Sequence, residues 1–285
     1  MNWQTRDIAP GLYLVATPLG HARDITLRAL DLLASVDVLA AEDTRSLRRL
    51  MDIHAVPLGN RPLVAYHEHN ADRARPKLMK ALEAGQSVLY ASEAGTPLIS
   101  DPGFDLMRAA LAAEVPCTAA PGPTAAVAAL TLSGLPSDRF LFAGFLPNSS
   151  GKRKTALSEL AGVPATLIFY ESPKRLGKML RDAAEVLGAG RDAVVCRELT
   201  KKFEERCGGT LGDLSRKYLE TAPKGEIVVL IDRGAAEEAD PDVLDAALVD
   251  ALSHMSVKDA ARDVATTFGI PRREAYQRAM ALAKN

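Results

Sequence analysis

The sequence predicts an α/β protein built as two α/β domains followed by a small helical segment. Three observations carry that reading. Short apolar, β-branched runs alternate with helix-like stretches, as βα units on a largely parallel sheet require. The alternation occurs in two series, separated by Ser133-Gly134-Leu135-Pro136-Ser137-Asp138, whose Gly and Pro suit an interdomain joint. The composition then changes at the acidic run Glu237-Glu238-Ala239-Asp240-Pro241, beyond which the chain is Ala-rich.

Taken in order, the first series has strands at 11–16, 38–42, 63–66, 87–91 and 116–120, with helices between them that begin with 24–36. Gly or Pro in each connection ends one element and permits the turn to the next. The second series has a strand at 140–145, a helix after Gly151, a strand at 165–170, a helix at 173–187, and strands at 193–197 and 225–232. Residues 1–136 and 137–234 are thus expected to be the two α/β domains. Residues 235–285 are expected to be an acidic linker and a helical tail broken at Gly269-Ile270-Pro271.

Composition narrows the function. The chain has 285 residues, 47% hydrophobic and 25% charged, which is ordinary for a globular protein and long enough for substantial cores. Thirty-five Lys and Arg against 36 Asp and Glu give a net charge of −1, which excludes a wholesale polycation. The charge is uneven, however: residues 151–216 hold 13 basic and 9 acidic side chains. No apolar run approaches the roughly 18 residues that span a bilayer, and no secretory leader precedes the first strand. Cys117, Cys196 and Cys207, odd in number and without CxxC spacing, read as reduced structural thiols in a cytoplasmic protein.

The chemistry-bearing residues lie where strands end. Loops Thr17-Pro18-Leu19-Gly20, Ser92-Glu93-Ala94-Gly95-Thr96-Pro97 running on to Gly103, and Pro121-Gly122-Pro123-Thr124 each follow a strand. In a parallel sheet such loops open on one edge and aim backbone amides into one crevice, which suits a polar or anionic ligand. The dinucleotide fingerprint GxGxxG is absent. Glu42-Asp43-Thr44-Arg45, His67-Glu68-His69-Asn70, Glu171-Ser172-Pro173 and Arg197-Glu198-Leu199-Thr200-Lys201 add charge at further strand ends. His67 and His69 lack a third ligand at a telling spacing, so no metal is expected. Glu204 and Glu205 read as a solvated charge run, and Lys152-Arg153-Lys154 as a solvated helix start or a phosphate contact.

Together these blocks resemble the 16S rRNA cytidine 2'-O-methyltransferase family, within the tetrapyrrole-methylase superfamily. The resemblance rests on Gly11 to Gly20, Asp24-Ile25-Thr26-Leu27-Arg28, Ala41 to Arg45, His67 to Asn70, Gly95 to Gly103, Phe140 to Pro147, Ile168 to Pro173, Arg197 to Lys201 and Gly225-Glu226-Ile227-Val228. These blocks keep the family's order over residues 11–232. The resemblance implies S-adenosylmethionine bound between two α/β domains of a homodimer, and 16S rRNA or the 30S subunit as partner. The cofactor loops carried over are Thr17, Pro18 and Gly20; Ser92, Glu93, Gly95, Thr96 and Pro97; and Pro121, Gly122 and Pro123. The reacting-centre candidates carried over are Glu42, Asp43, Glu171, Glu198 and Lys201, with Asp43 and Glu198 placed nearest the chemistry and Arg45, Lys201 and His67 as orienting groups.

Four positions depart from the family's usual pattern: Glu93 for Asp, His21-Ala22 for Asn-Leu, Thr124 for Ser and Lys174 for His. Glu93 puts one carboxylate contact in doubt, since an added methylene moves it beyond the tolerance of a tight site. Two other readings stay open: a tetrapyrrole methylase, which the 5% aromatic content disfavours, and an RNA-binding assembly factor without catalysis. Around Pro271, Ser256 to Arg262 and Arg272 to Tyr276 form a helix-turn-helix-like pattern that either grips RNA or caps the dimer.

Overall fold

The computed structural model describes residues 2–99, 103–234, 241–268 and 270–283. The first sheet joins β1 (Gly11–Val15), β2 (Val38–Ala41), β3 (Leu63–Ala65), β4 (Ser87–Ala91) and β5 (Cys117–Ala120) in the order β3-β2-β4-β1-β5, every pair parallel. Its central strand β4 is buried at all five positions, because helices cover both faces. One face packs Leu30, Leu33, Leu47 and Met51 of α1 (Leu27–Ser35) and α2 (Thr44–Ile53). The other packs Leu78, Leu82, Leu106 and Ala110 of α3 (Ala71–Glu83) and α4 (Phe104–Ala112). The expected helix 24–36 is in fact a 3-10 turn at Ala22–Asp24 and then α1. The break falls at Thr26, whose side chain caps α1 by accepting from the Ala29 amide.

After β5 the chain leaves this sheet. Helix α5 (Ala125–Ser133) is apolar on nearly all sides, and Ala126, Ala129 and Leu130 pack on Ile168, Val194, Val228 and Leu230 of the second sheet. It ends at Gly134 in the left-handed region (φ 73°), where a glycine carries no Cβ penalty.

The second sheet joins β6 (Phe140–Phe145), β7 (Thr166–Glu171), β8 (Asp192–Arg197), β9 (Glu205–Thr210) and β10 (Ile227–Ile231) in the order β6-β7-β10-β8-β9. Only β6 and β7 are parallel; the other three pairings are antiparallel, so this sheet is mixed. Strand β9 was missed: Glu205, its side chain still 42% exposed, opens it beside the exposed Glu204. The segment is glycine-rich and half exposed, so its strand state comes from the β8 ladder rather than from propensity. Helices α6 (Ser150–Leu160), α7 (Leu176–Leu187) and α8 (Leu211–Glu220) cover the face opposite α5.

Arg153 corrects a second expectation. It is 3% exposed, forming an ion pair at 2.6 Å with Asp182, which is fully buried; it is neither a solvated helix start nor a phosphate contact. Lys154 of the same run pairs with Glu185 at 2.6 Å. The cysteines are free, and burial pushes the Cys196 thiol up to about 11, as a structural thiol requires.

The helical tail starts directly at Pro241, the last residue of the acidic run. Pro241–Leu252 is a helix, α9, with Pro at its first position and Asp242 in its first turn, both favourable at a helix N-terminus. With α10 (Val257–Phe268) and α11 (Arg272–Leu282) it encloses a separate core of Leu244, Leu248, Ala260, Val264, Ala275 and Ala279. The run 237–240 and Gly269 lie outside the described residues. No helix among those described is long and apolar enough to cross a membrane.

Candidate active site

The loops after β1, β4 and β5 are tied into one rim at the carboxyl edge of the first sheet. Thr17 and Gly95 exchange backbone hydrogen bonds, each 3.0 Å, with Gly95 at φ 83°. The Ser92 hydroxyl donates to the Gly95 carbonyl at 2.7 Å, and the Thr96 hydroxyl donates to the Pro123 carbonyl at 2.9 Å and meets Thr124 Oγ1 at 2.6 Å. Glu42 of the β2 end accepts from the Glu93 amide at 3.0 Å. An added methylene at Glu93 therefore leaves this backbone contact intact, because it uses the amide and not the side chain.

The second domain closes over this rim. The His21 amide donates to Thr200 Oγ1 at 3.1 Å, and the Ala126 amide donates to the Tyr170 hydroxyl at 3.3 Å. Gly20 lies against Leu199, Thr200 and Lys201 so closely that a Cβ would fall 2.2 Å from Lys201 Cγ.

Between the domains lies a cleft of two lobes that meet at Leu19, Glu93, Ala94 and Glu226. The first, about 440 Å³, is walled by Thr96, Ala125, Phe145, Tyr170, Leu199 and Val228 and holds Glu171. The second, about 480 Å³, is lined by Thr17, Pro18, Gly20, Ser46, Arg49 and Lys201. One lobe is mostly apolar; the other is polar, with Arg49 and Lys201 set among Glu93 and Glu226.

The structure distributes the residues expected from sequence. Glu93, Gly95 and Thr96 line the first lobe, Thr17, Pro18, Gly20, Ser92 and Glu93 the second. Pro121, Gly122 and Pro123 line neither: Gly122 backs onto Ala16, and Pro123 supplies the carbonyl that fixes Thr96. Asp43 caps α2, accepting from the Arg45 amide at 2.7 Å and the Ser46 amide at 3.4 Å and pairing with the Arg45 guanidinium. These bonds, that to the Arg45 side chain first, hold its carboxyl below the usual range. His67 and His69 have ring centroids 6.1 Å apart, and no group of metal-ligating side chains forms among the described residues.

Lys201 stands at the second lobe between Glu198 (3.2 Å) and Glu226 (3.1 Å), while Glu198 also accepts from the Glu226 amide at 3.0 Å. That amide, then Lys201, holds the Glu198 carboxyl below its ordinary range. Burial works against the Lys201 charge, but Glu226 and Glu198 outweigh it and raise its titration. Glu198 and Thr200 have positive φ, 51° and 61°, an uncommon pairing for residues with side chains. Gly225 supports this arrangement: it has φ 96°, and a Cβ there would lie 2.3 Å from the Glu198 carboxylate. Gly225→Ala is expected to cost about 1–3 kcal/mol and to displace Glu198; an unchanged urea midpoint argues against this.

Glu171 is buried in the first lobe. Arg175 lies 3.1 Å from its Oε1, which also accepts the Ser172 amide at 2.7 Å, while Oε2 has no partner. Burial raises its titration despite Arg175. A raised folded value means that its contribution to stability is present at acid pH and is lost as pH climbs through that value. Glu171→Gln should flatten this part of the pH dependence of the denaturation midpoint, and an unaltered profile would count against the assignment.

Gly225, Glu226, Arg49 and Ser46 were not singled out from sequence. Gly225-Glu226 stood inside a matched block, but nothing local announces a positive φ or a contact 27 residues away.

The parallel sheet, the mixed sheet and the cleft between them are the architecture of the tetrapyrrole-methylase class, and the sequence matches that class. Residues 11–215 match the family described as Tetrapyrrole (Corrin/Porphyrin) Methylases, and residues 237–283 match the RsmI C-terminal HTH domain. The chain is 49% identical to ribosomal RNA small subunit methyltransferase I of Mesorhizobium japonicum, over 97% of this chain and 94% of that one. It is 41% identical to the protein of that name from Escherichia coli O157:H7, over 97% of each. The solved methyltransferase CobJ shares the fold at TM-score 0.61 and 20% identity, over 81% of this chain and 97% of that one. The chain belongs to the ribosomal RNA small subunit methyltransferase I family. As a methyltransferase of this class it takes its methyl group from S-adenosylmethionine.

Proposed function

We propose that the chain transfers a methyl group from S-adenosylmethionine to the ribose 2'-hydroxyl of a decoding-centre cytidine of 16S rRNA, position 1402 in the family. The observation that carries this reading is the division of the cleft into a mostly apolar lobe and a polar lobe bearing Arg49 and Lys201 that touch. The apolar lobe fits a nucleoside-like cofactor: its volume lies within the range of small-ligand sites, Tyr170 and Phe145 supply flat apolar walls, and the unpartnered Glu171 Oε2 accepts a donor. The cofactor supplies a methyl group activated on a sulfonium.

The chain's residues then do the rest. Thr96 and the Gly95 backbone shape the slot. Arg49 and Lys201 face the second lobe, where they bind phosphates flanking a splayed nucleotide and orient its sugar. Glu198 and Glu226 fix the Lys201 ammonium. Displacement at carbon needs alignment more than a strong base, and Glu42 is the carboxylate beside the first lobe that accepts the hydroxyl proton, Glu171 being committed to the cofactor. Asp43 serves the site by holding α2, and with it Ser46 and Arg49, in place.

The proposed domains are 1–136, 137–234 and 235–285, and the proposed assembly is a homodimer. Phe104, Leu111, Val127 and Leu132 are between 45% and 58% exposed in the single chain, apolar surface that a second copy would cover.

The test is transfer of labelled methyl to 30S subunits, followed by mapping of the modified position. Label on the ribose of that cytidine supports the reading. Label on a precorrin instead supports a tetrapyrrole methylase, and RNA binding without transfer supports a non-catalytic assembly factor.

A further inference from the structure

We propose that the C-terminal three-helix unit carries a second RNA contact, a platform on which an unpaired base stacks against Tyr276 while Lys258, Arg272 and Arg273 bind the phosphates beside it. The proposal rests on the RNA reading above and extends it to a surface outside the cleft.

The platform follows from helix geometry. Arg272 and Arg273 precede Tyr276 by four and three residues on α11, so all three share one side of that helix. Lys258, at the start of α10, completes a shallow depression of about 440 Å³ lined by these four residues. Tyr276 is 44% exposed, and the core contacts of α11 are made by Ala275 and Ala279 instead. The ring is thus not needed to hold the three helices together.

Charge separates these cations from their neighbours. Arg262 pairs with Asp259 at 2.9 Å and Arg278 with Asp245 at 2.5 Å. Lys258, Arg272 and Arg273 are exposed and form no ion pair with a described residue. Free cations around an exposed aromatic face complement a nucleotide, which offers a phosphate and a flat base together. An acidic peptide would use the charges and leave the ring idle; a second copy of this chain would bury the ring and strand the charges.

The experiment uses the full chain, with Kd measured for a single-stranded oligouridine and for 30S subunits over a range of salt. Tyr276→Ala should raise both Kd values roughly 5- to 100-fold, and Tyr276→Phe, which keeps the π-face, should leave them near wild type. Arg272→Gln with Arg273→Gln should reduce the slope of log affinity against log salt by about 1.4, at ~0.7 per phosphate contact. Unchanged helicity and cofactor uptake serve as the folding control. The platform is overturned if these variants bind both RNAs as the wild type does, or if they alter only sedimentation, which would assign the face to a second copy. A wild-type chain that binds neither RNA overturns the RNA reading itself.

Discussion

Asp182→Ala lowers the stability of the second domain by about 3–5 kcal/mol, the cost of leaving a buried charge without its partner. Arg153 and Asp182 are 3% and 0% exposed, and the guanidinium bonds the carboxylate through Nη2 at 2.6 Å and Nε at 2.8 Å. Ser150 adds a hydrogen bond to the same oxygen at 2.9 Å. The Arg153 Nη1 donates onward to the Pro147 and Asn148 carbonyls, so the pair joins α6 and α7 to the turn that follows β6. Removing Asp182 leaves the guanidinium in the interior without its bonded carboxylate and loosens that turn. Phe145, a wall of the first lobe, lies two residues before Pro147, so cofactor affinity should fall with stability. Urea denaturation measures the first effect and calorimetric titration the second. Replacing both partners, Arg153→Met with Asp182→Leu, should recover much of the loss, because apolar groups of similar volume do not carry the desolvation penalty. A single variant as stable as the parent would show the pair to be dispensable.

Lys201→Met slows single-turnover methyl transfer by about 10²- to 10³-fold, the range seen when one preorganised charge or donor is removed from a reacting centre. The ammonium is fixed by Glu198 and Glu226 and borders the second lobe rather than the first. Cofactor Kd should therefore change little while the chemical step slows. Lys201→Arg keeps the charge but alters its shape and reach, and should restore only part of the rate. Because the folded titration of Lys201 is raised, its stabilising contribution is complete below the ordinary lysine value and disappears as pH rises through the raised one. Neutral pH thus leaves the group charged. Equal losses in cofactor affinity and rate would make Lys201 a structural post and remove it from the reacting centre.

Most strands of both sheets were legible because burial on both faces forces continuous apolar runs, as in Ser87–Ala91 and Ile227–Ile231. Strand β9 and helix α9 were not. Glu205–Thr210 is polar and glycine-rich, and it is a strand only because β8 offers an edge; the acidic composition near Pro241 resembles a linker although Asp242 suits a helix start. The rim loops were legible as a group, since any parallel sheet gathers them. Their division was not: Thr17 and Thr96 belong to loops that looked equivalent, yet they border different lobes. Asp43 showed a carboxylate at a strand end, and only the fold revealed that α2 takes both its oxygens.

The sequence by itself determined the alternation of strands and helices, the positions of the turns and the set of residues from which a site can be drawn. Those properties depend on a few neighbouring side chains and on backbone preferences that act within one turn or strand. The tertiary structure decided that Arg153 is buried, that α5 crosses to the second sheet, and that Lys201 meets Glu226 across the β8–β10 ladder end. Each of these depends on which distant groups share a small, poorly solvated space. There the cost of an unmatched charge or an exposed apolar face is set by partners far away along the chain.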